Sequence, residues 1–406
     1  MREDPRPPAH HDPTTSLLRR SPNGRQYYRR GDQSVEVRSV NPVVMRASTI
    51  LFKDYDTWQK YRKLRATDRV LSYGARGTTT NFELEKLVCE LEGGYRAQLF
   101  PTGLAALAMV LLNYAEAGAH FIVSDAIYGP VRTVCNLFLS KVKVDVSFCK
   151  ADCSDVESLI QPNTKLILVE SPGSILYEVI DLPKLCKIAH AHNIPVAIDN
   201  TYSSGYLYNP LKLGADISVI AATKYLSGHS DVTMGVVVCN EKEWKNFDKL
   251  PEALGFTTSP DDCYLVLRGM RTLAVRMNQI EKNTDEVVAY LQTRPEIKTI
   301  FYPKLPTHPN HDIFMRDYKG ASGMLTIEFA DGYTKEDAVK FTDALKYFAC
   351  GASWGGYESL ATVTVPPRTA TDWSKRGPFV RFHIGLEDAQ DLIEDLGQAL
   401  DKISHK

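Results

Sequence analysis

The chain has 406 residues, a formal net charge of -1, 44% hydrophobic residues and eight cysteines. That length exceeds what one hydrophobic core usually spans, so two or more domains are expected, and the near-neutral balance supplies no basic face for nucleic acid or an anionic membrane. Sparse cysteines without a CxxC motif read as reduced thiols, and no apolar run is long enough to span a bilayer; the expectation is a cytoplasmic protein whose partner is a small molecule.

Residues 1–33 are rich in Pro, Arg and His, lack an apolar signal core, and read as a loosely ordered lead-in. Next, "FPTGLAALAMVLL" (100–112) joins a turn containing Gly103 to a strongly helical apolar segment. Short apolar runs follow: "FIVSDA" (121–126), "KLILVES" (165–171), "PVAIDN" (195–200), "ISVIAA" (217–222) and "GVVVCN" (235–240), with helical patterns such as "LPKLCKIAHAHN" (182–193) between several of them. Apolar strands alternating with amphipathic helices predict an α/β architecture, a mainly parallel sheet covered on both faces, with ligands at the carboxyl ends of its strands. Beyond about residue 270 the pattern changes. A long helical segment (271–294) precedes the strand-like "GMLTIEFA" and "FVRFHIGLED" and a closing helix, which predicts a smaller α+β domain. "HPNH" (308–311) and "CKADC" (149–153) have no second ligand pair at zinc-like spacing, so no metal site is expected. Neither a P-loop nor a GxGxxG fingerprint is present, which disfavours nucleotide readings.

Four features then fall at strand ends or a helix start: Asp199, Lys224, Tyr128 and the "PTG" of 101–103. Taken singly, a strand-end lysine is more often a solvated surface residue, Asp before Asn a turn or cap, Gly a turn and Tyr a packing residue. Together, in this order, they suit one cofactor. Pyridoxal phosphate needs a lysine amine for a Schiff base, and Lys224 provides it; a carboxylate must face the pyridine nitrogen, and Asp199 ends a strand. The phosphate needs N–H groups at a helix N-terminus, which the turn at Gly103 opens, and Tyr128 can stack on the ring.

"AATKYLSGHSD" (221–231), with "ESPGS", "AIDNT", "RGMRTL", "SWGGYESL" and "RFHIGLED", resembles the cysteine and methionine metabolism family of pyridoxal phosphate enzymes, and within it the β-eliminating group. The resemblance runs from about residue 40 to the end. It implies an aspartate-aminotransferase-type fold (fold type I) and a division into an N-terminal extension and arm reaching the neighbouring subunit (1–77), a cofactor domain (78–270) and a C-terminal domain (271–406). A homotetramer built from dimers is implied with it. Carried over by position, Lys224, Asp199 and Tyr128 match the Schiff-base lysine, the pyridinium partner and the stacking tyrosine. Gly103, Leu104 and Thr223 match phosphate ligands, with Tyr73 reaching the phosphate of the neighbouring subunit. Ser353 and Arg381 match the residues that hold the substrate α-carboxylate, and a guanidinium suits a carboxylate on geometric grounds too. Trp354 stands where many γ-acting relatives have a smaller apolar residue.

The implied reaction is β-elimination from an L-amino-acid thioether, L-cystathionine, giving homocysteine, pyruvate and ammonia. A γ-acting synthase or lyase of the family would share every cofactor residue. A cofactor-independent Schiff-base lyase would not need Asp199 or the phosphate turn, and a non-catalytic regulatory protein on the same fold would be expected to lose Lys224. Two departures stand out. Most of the family has arginine two residues after the tyrosine of "YGARGT", whereas this chain has Ala75, with Arg76 one later; Ala221 replaces a serine that often binds phosphate, a change the β-eliminating group shares. Arg76 can take the phosphate role only if the backbone turns, which Gly74 and Gly77 permit.

Overall fold

The computed structural model describes residues 25–30, 33–65, 67–247 and 249–404. Its centre is a seven-stranded sheet made of β3 (Arg96–Phe100), β4 (His120–Ser124), β5 (Asp145–Cys149), β6 (Thr164–Glu170), β7 (Val196–Asp199), β8 (Ile217–Ile220) and β9 (Gly235–Cys239). The spatial order is β3-β9-β8-β7-β6-β4-β5. Only β9 runs against its neighbours, antiparallel to both β3 and β8. The mainly parallel sheet expected from the sequence is therefore present, with one reversed strand that an apolar run alone cannot reveal.

Every residue of β4, β7, β8 and β9 is buried. Their mostly apolar, Val- and Ile-rich runs fit this, because a strand covered on both faces has no solvent side to alternate toward. Burying each large aliphatic side chain contributes about 1.5–3 kcal/mol against the entropy of ordering. One apolar cluster below the sheet includes Leu185, Ala189, Ile198 and Val196; another, above it, includes Val110, Val123 and Val219. The helices α2 (Thr79–Glu92), α3 (Gly103–Tyr114), α4 (Gly129–Leu137) and α5 (Leu182–Ala191) connect and cover the strands.

The C-terminal part holds a four-stranded antiparallel sheet in the order β10 (Ile297–Phe301), β11 (Met324–Phe329), β13 (Phe379–His383), β12 (Leu360–Thr364). Long α6 (Pro260–Met270) and α7 (Leu273–Leu291) lead into it, with α8 (Lys335–Ala344) and α9 (Ala389–Asp401) against it. Phe301, Ile327, Phe329 and Phe382 share one apolar cluster with Ile167 and Ile198 of the larger sheet, so the two sheets are joined by a continuous core.

The N-terminal reading needs a correction. In the stretch read as a loose lead-in (1–33), residues 25–30 form β1 (Arg25–Arg30), which pairs antiparallel with β2 (Gln33–Arg38) just beyond it, in register from Arg25↔Arg38 to Arg30↔Gln33. Aromatic and β-branched residues in "QYY" and "SVEV" favour a strand, a local signal that the composition of the whole stretch masks. Residues 1–24 lie outside the described part. Further along, α1 (Tyr55–Leu64) buries none of its residues.

Candidate active site

The carboxyl ends of β6, β7 and β8 and the start of α3 lie side by side, Glu170 opposite Asp199 on the β6–β7 ladder and Gly103 against Ala221 of the turn after β8. The site is assembled from turns, because the apolar interior of each strand forces its first polar residue to its end.

Asp199 ends β7 and is 5% exposed. Its Oδ1 accepts from the Thr201 N–H at 3.0 Å and the Thr201 hydroxyl at 2.5 Å. No hydrogen bond among the described residues falls on Oδ2, which leaves that oxygen for a ring N–H. Burial pushes the Asp199 acid upward, while Thr201 and the Lys224 cation pull it down. The Thr201 hydroxyl also accepts from the Ala221 N–H at 2.8 Å, tying the aspartate to the turn that carries the lysine.

Lys224 lies in that turn, its N–H donating to Ala221 O at 3.0 Å. Burial, reinforced by the Arg381 guanidinium and opposed by Asp199, brings its ammonium down to about 8. Such an amine is partly neutral near physiological pH and therefore nucleophilic. Its Nζ donates to Ser353 Oγ and stands 5.2 Å from the centroid of the Trp354 ring. Arg381, at the middle of β13, donates from Nη2 to Ser353 O at 3.3 Å. Lys224, Ser353, Trp354 and Arg381 thus form one contiguous group. Ser353 adopts φ 81, a left-handed conformation uncommon for a side-chain-bearing residue. Gly355 packs so tightly on the lysine that a Cβ there would lie 2.9 Å from both Lys224 Cα and Cβ.

At the other end, Thr102 caps α3, its hydroxyl accepting from Ala105 N–H at 3.0 Å. A Cβ at Gly103 would stand 2.6 Å from Ala221 Cβ, so only glycine lets the helix start press against the lysine turn. The first N–H groups of a helix have no partner within it and attract an anion. Thr223, beside them, accepts from Met234 N–H at 2.9 Å and donates to Met234 O at 3.2 Å, so its hydroxyl is already shared with the backbone. Tyr128 is 44% exposed at the start of α4. Burial and the nearby Asp199 and Glu170 carboxyls push its phenol upward, which places the ring within electrostatic reach of Asp199.

These residues fit pyridoxal phosphate: a helix start for the phosphate, an available carboxylate oxygen for the ring nitrogen, a partly neutral amine between them and an aromatic ring alongside. Tyr73 and Arg76 are not brought to this group within the chain. They line a separate cavity with Arg69, Phe256 and Glu252, and Arg76 is paired with Glu252. Gly74–Arg76 forms a short 3-10 turn and Gly77 has φ 94, so the loop is bent, yet the guanidinium is engaged inside its own chain.

Two residues with evident structural parts here were not singled out by the sequence. Thr201 joins Asp199 to the lysine turn, and its only signal is position two residues after the aspartate. Glu170 ends β6 beside Asp199; the signal that found Asp199, an acid closing an apolar strand, applies equally to it.

The family model for Cys/Met metabolism PLP-dependent enzymes matches residues 26–401. A cystathionine beta-lyase of Bordetella avium is 42% identical over 368 residues, which cover 89% of this chain and 92% of the relative. A cystathionine beta-lyase of Haemophilus influenzae is 38% identical over 374 residues, covering 90% and 94%. Among solved structures, the crystal structure of metB from Corynebacterium glutamicum superposes with a TM-score of 0.85 at 30% identity, covering 97% of this chain and 99% of that one.

Proposed function

The chain belongs to the Cys/Met metabolism family of pyridoxal-phosphate-dependent enzymes and is a fold-type-I carbon–sulfur lyase, and from that premise we propose that it cleaves L-cystathionine by β-elimination to homocysteine, pyruvate and ammonia. The observation that carries the substrate reading is the contiguous group of Lys224, Ser353, Trp354 and Arg381, which sets a base, a carboxylate clamp and an indole wall around one point.

Bound pyridoxal phosphate supplies an electron sink for negative charge developing at the substrate Cα. In this assignment Lys224 is the covalent anchor, Asp199 holds the ring nitrogen, Tyr128 covers the ring, and Gly103, Leu104 and Thr223 hold the phosphate. Arg381 binds the substrate α-carboxylate and, with Ser353, fixes the direction of the Cα–H bond. Released from its anchorage by the incoming substrate amine, Nζ of Lys224 would take the Cα proton, an act its lowered basicity permits near neutral pH. The same Nζ returns a proton to the departing sulfur. Hydrolysis of the remaining three-carbon fragment consumes one water and gives pyruvate and ammonia. Trp354, stacked near Lys224, narrows the space beyond the β-carbon and favours loss of a β-substituent.

The same reading makes residues 1–77 an arm, 78–270 the cofactor domain and 271–406 the C-terminal domain of a cytoplasmic homotetramer, with Tyr73 contributing to the neighbouring subunit's phosphate site. Its support is the unburied α1 and the 50% exposure of Tyr73, which need a covering partner, together with eight unpaired cysteines. Identifying the keto acid formed from L-cystathionine tests the reaction: pyruvate with homocysteine is expected, and a predominance of 2-oxobutyrate with cysteine would replace it with γ-elimination.

A further inference from the structure

Glu170 and Asp199 occupy the same rung of the parallel β6–β7 ladder, so their backbones stand about 4.8 Å apart and their side chains emerge on the same face. Glu170 Oε2 accepts the backbone N–H of Tyr128 at 2.6 Å, and its Oε1 lies 2.8 Å from the Ser174 hydroxyl. That N–H belongs to the residue opening α4, where the helix itself offers no acceptor. Ser174 in turn donates its own N–H to Ala126 O at 2.8 Å, so one loop grips the stretch on both sides of the tyrosine's approach.

Two carboxyls on adjacent strands, Asp199 buried and Glu170 partly so, do not both ionise readily, because each charge disfavours the other. Asp199 has the stronger claim to the charge, with two hydrogen bonds from Thr201 and the cation of Lys224. The charged groups acting on Glu170 are Asp199 from β7, which opposes ionisation, and Arg368 from the loop before β13, which favours it. Arg368 is already committed, donating to both carboxylate oxygens of Glu178 and to Ser174 O. Burial, followed by Asp199, drives the Glu170 acid well upward.

We propose that Glu170 is a positioning residue that works as a neutral carboxylic acid: it fixes the backbone of Tyr128, and hence the aromatic cover of the cofactor ring, and leaves Asp199 as the sole anion facing the ring nitrogen. In this state the acid O–H donates to Ser174 Oγ while the carbonyl oxygen accepts from Tyr128 N–H. The inference rests on the cofactor placement proposed above.

An amide reproduces one donor and one acceptor, whereas a carboxylate has acceptors only. Equilibrium binding of pyridoxal phosphate to the apo-protein, followed by the bound cofactor's absorbance between pH 6 and 9, separates the cases, with circular dichroism reporting the fold. For Glu170→Gln the affinity is expected within about 3-fold of the parent protein, with an unchanged pH dependence of the spectrum; for Glu170→Ala it is expected to fall about 10-fold or more, since the Tyr128 N–H loses its acceptor and the ring loses its fixed position. Glu170→Gln binding as weakly as Glu170→Ala would show that the anion is required and overturn the proposal. So would Glu170→Ala binding as tightly as the parent. Failure of the parent protein to bind pyridoxal phosphate would overturn it together with the cofactor assignment.

Discussion

The floor of the candidate site and the proposed arm that carries Tyr73 are built on opposite terms. Asp199, Thr201, Ala221 and Lys224 are linked by consecutive hydrogen bonds within about 25 residues of sequence, at the ends of strands with no exposed residue and in the turns that follow them. From Val40 to Tyr73 the chain instead displays large apolar side chains: Val40 is 88% exposed, Leu51 89% and Tyr55 66%. The floor is complete within one chain and its electrostatics are preset there. The arm carries polar groups whose use depends on what lies against it.

The largest expected effect strikes the floor. Lys224→Ala removes the proposed base and covalent anchor together, so β-elimination should fall by about 10⁴-fold or more while the circular dichroism spectrum is retained. Near-parent turnover by this variant would remove the floor from the chemistry altogether.

A second measurement reads the floor's preset electrostatics through pH. Only the neutral amine captures the cofactor carbonyl, and burial beside Arg381 holds Lys224 at about 8. The capture rate by apo-protein should therefore rise about 50-fold from pH 6 to 8 and level off above that; a rate still climbing about 7-fold between pH 9 and 10 would mean an ordinary lysine.

Arg381 tests the wall facing the floor. Arg381→Ala should raise KM for an amino-acid substrate about 30- to 150-fold, the loss expected of a charge-assisted bidentate pair, with smaller change in cofactor affinity. Equal damage to both would show that the arginine serves cofactor binding instead.

The arm should respond least. Tyr73→Phe is expected to weaken cofactor binding about 3- to 10-fold, and Arg76→Ala, whose guanidinium is held by Glu252 near the surface, by less than about 3-fold. Ala75→Arg should tighten it. A loss with Arg76→Ala as large as that of a buried charged hydrogen bond, about 2–5 kcal/mol, would erase the contrast and make Arg76 the phosphate arginine.

The floor was legible in the sequence because burial on both faces of β7 and β8 writes itself as short, mostly apolar runs, Val-Ala-Ile and Ile-Ser-Val-Ile, so a charged residue after such a run announces a strand end. Asp199 and Lys224 follow from that rule, and Gly103 from the helix it opens. The direction of β9 was not legible, since an apolar strand reads alike both ways. Nor was the placement of Ser353 and Arg381 against the lysine, which depends on folding residues more than 120 positions away onto it. Motif resemblance supplied that link. Arg76 shows the limit of register reasoning: the bend at Gly74–Arg76 agrees with the glycines, but its pairing with Glu252, 176 residues later, leaves no local trace.

The contact of Gly355 with the lysine backbone bears on how this enzyme could acquire new substrates. A Cβ at Gly355 would collide with Lys224 and one at Gly356 would lie 2.2 Å from Ser230 Oγ, so the wall segment is keyed to the turn that carries the base. Any side chain added at Gly355 would press on the Lys224 backbone and push the lysine out of line. Directed evolution should accordingly find altered selectivity by repainting the wall, through replacements at Trp354 or at the exposed Tyr357, while libraries that lengthen or shorten 353–357 should yield folded but inactive variants.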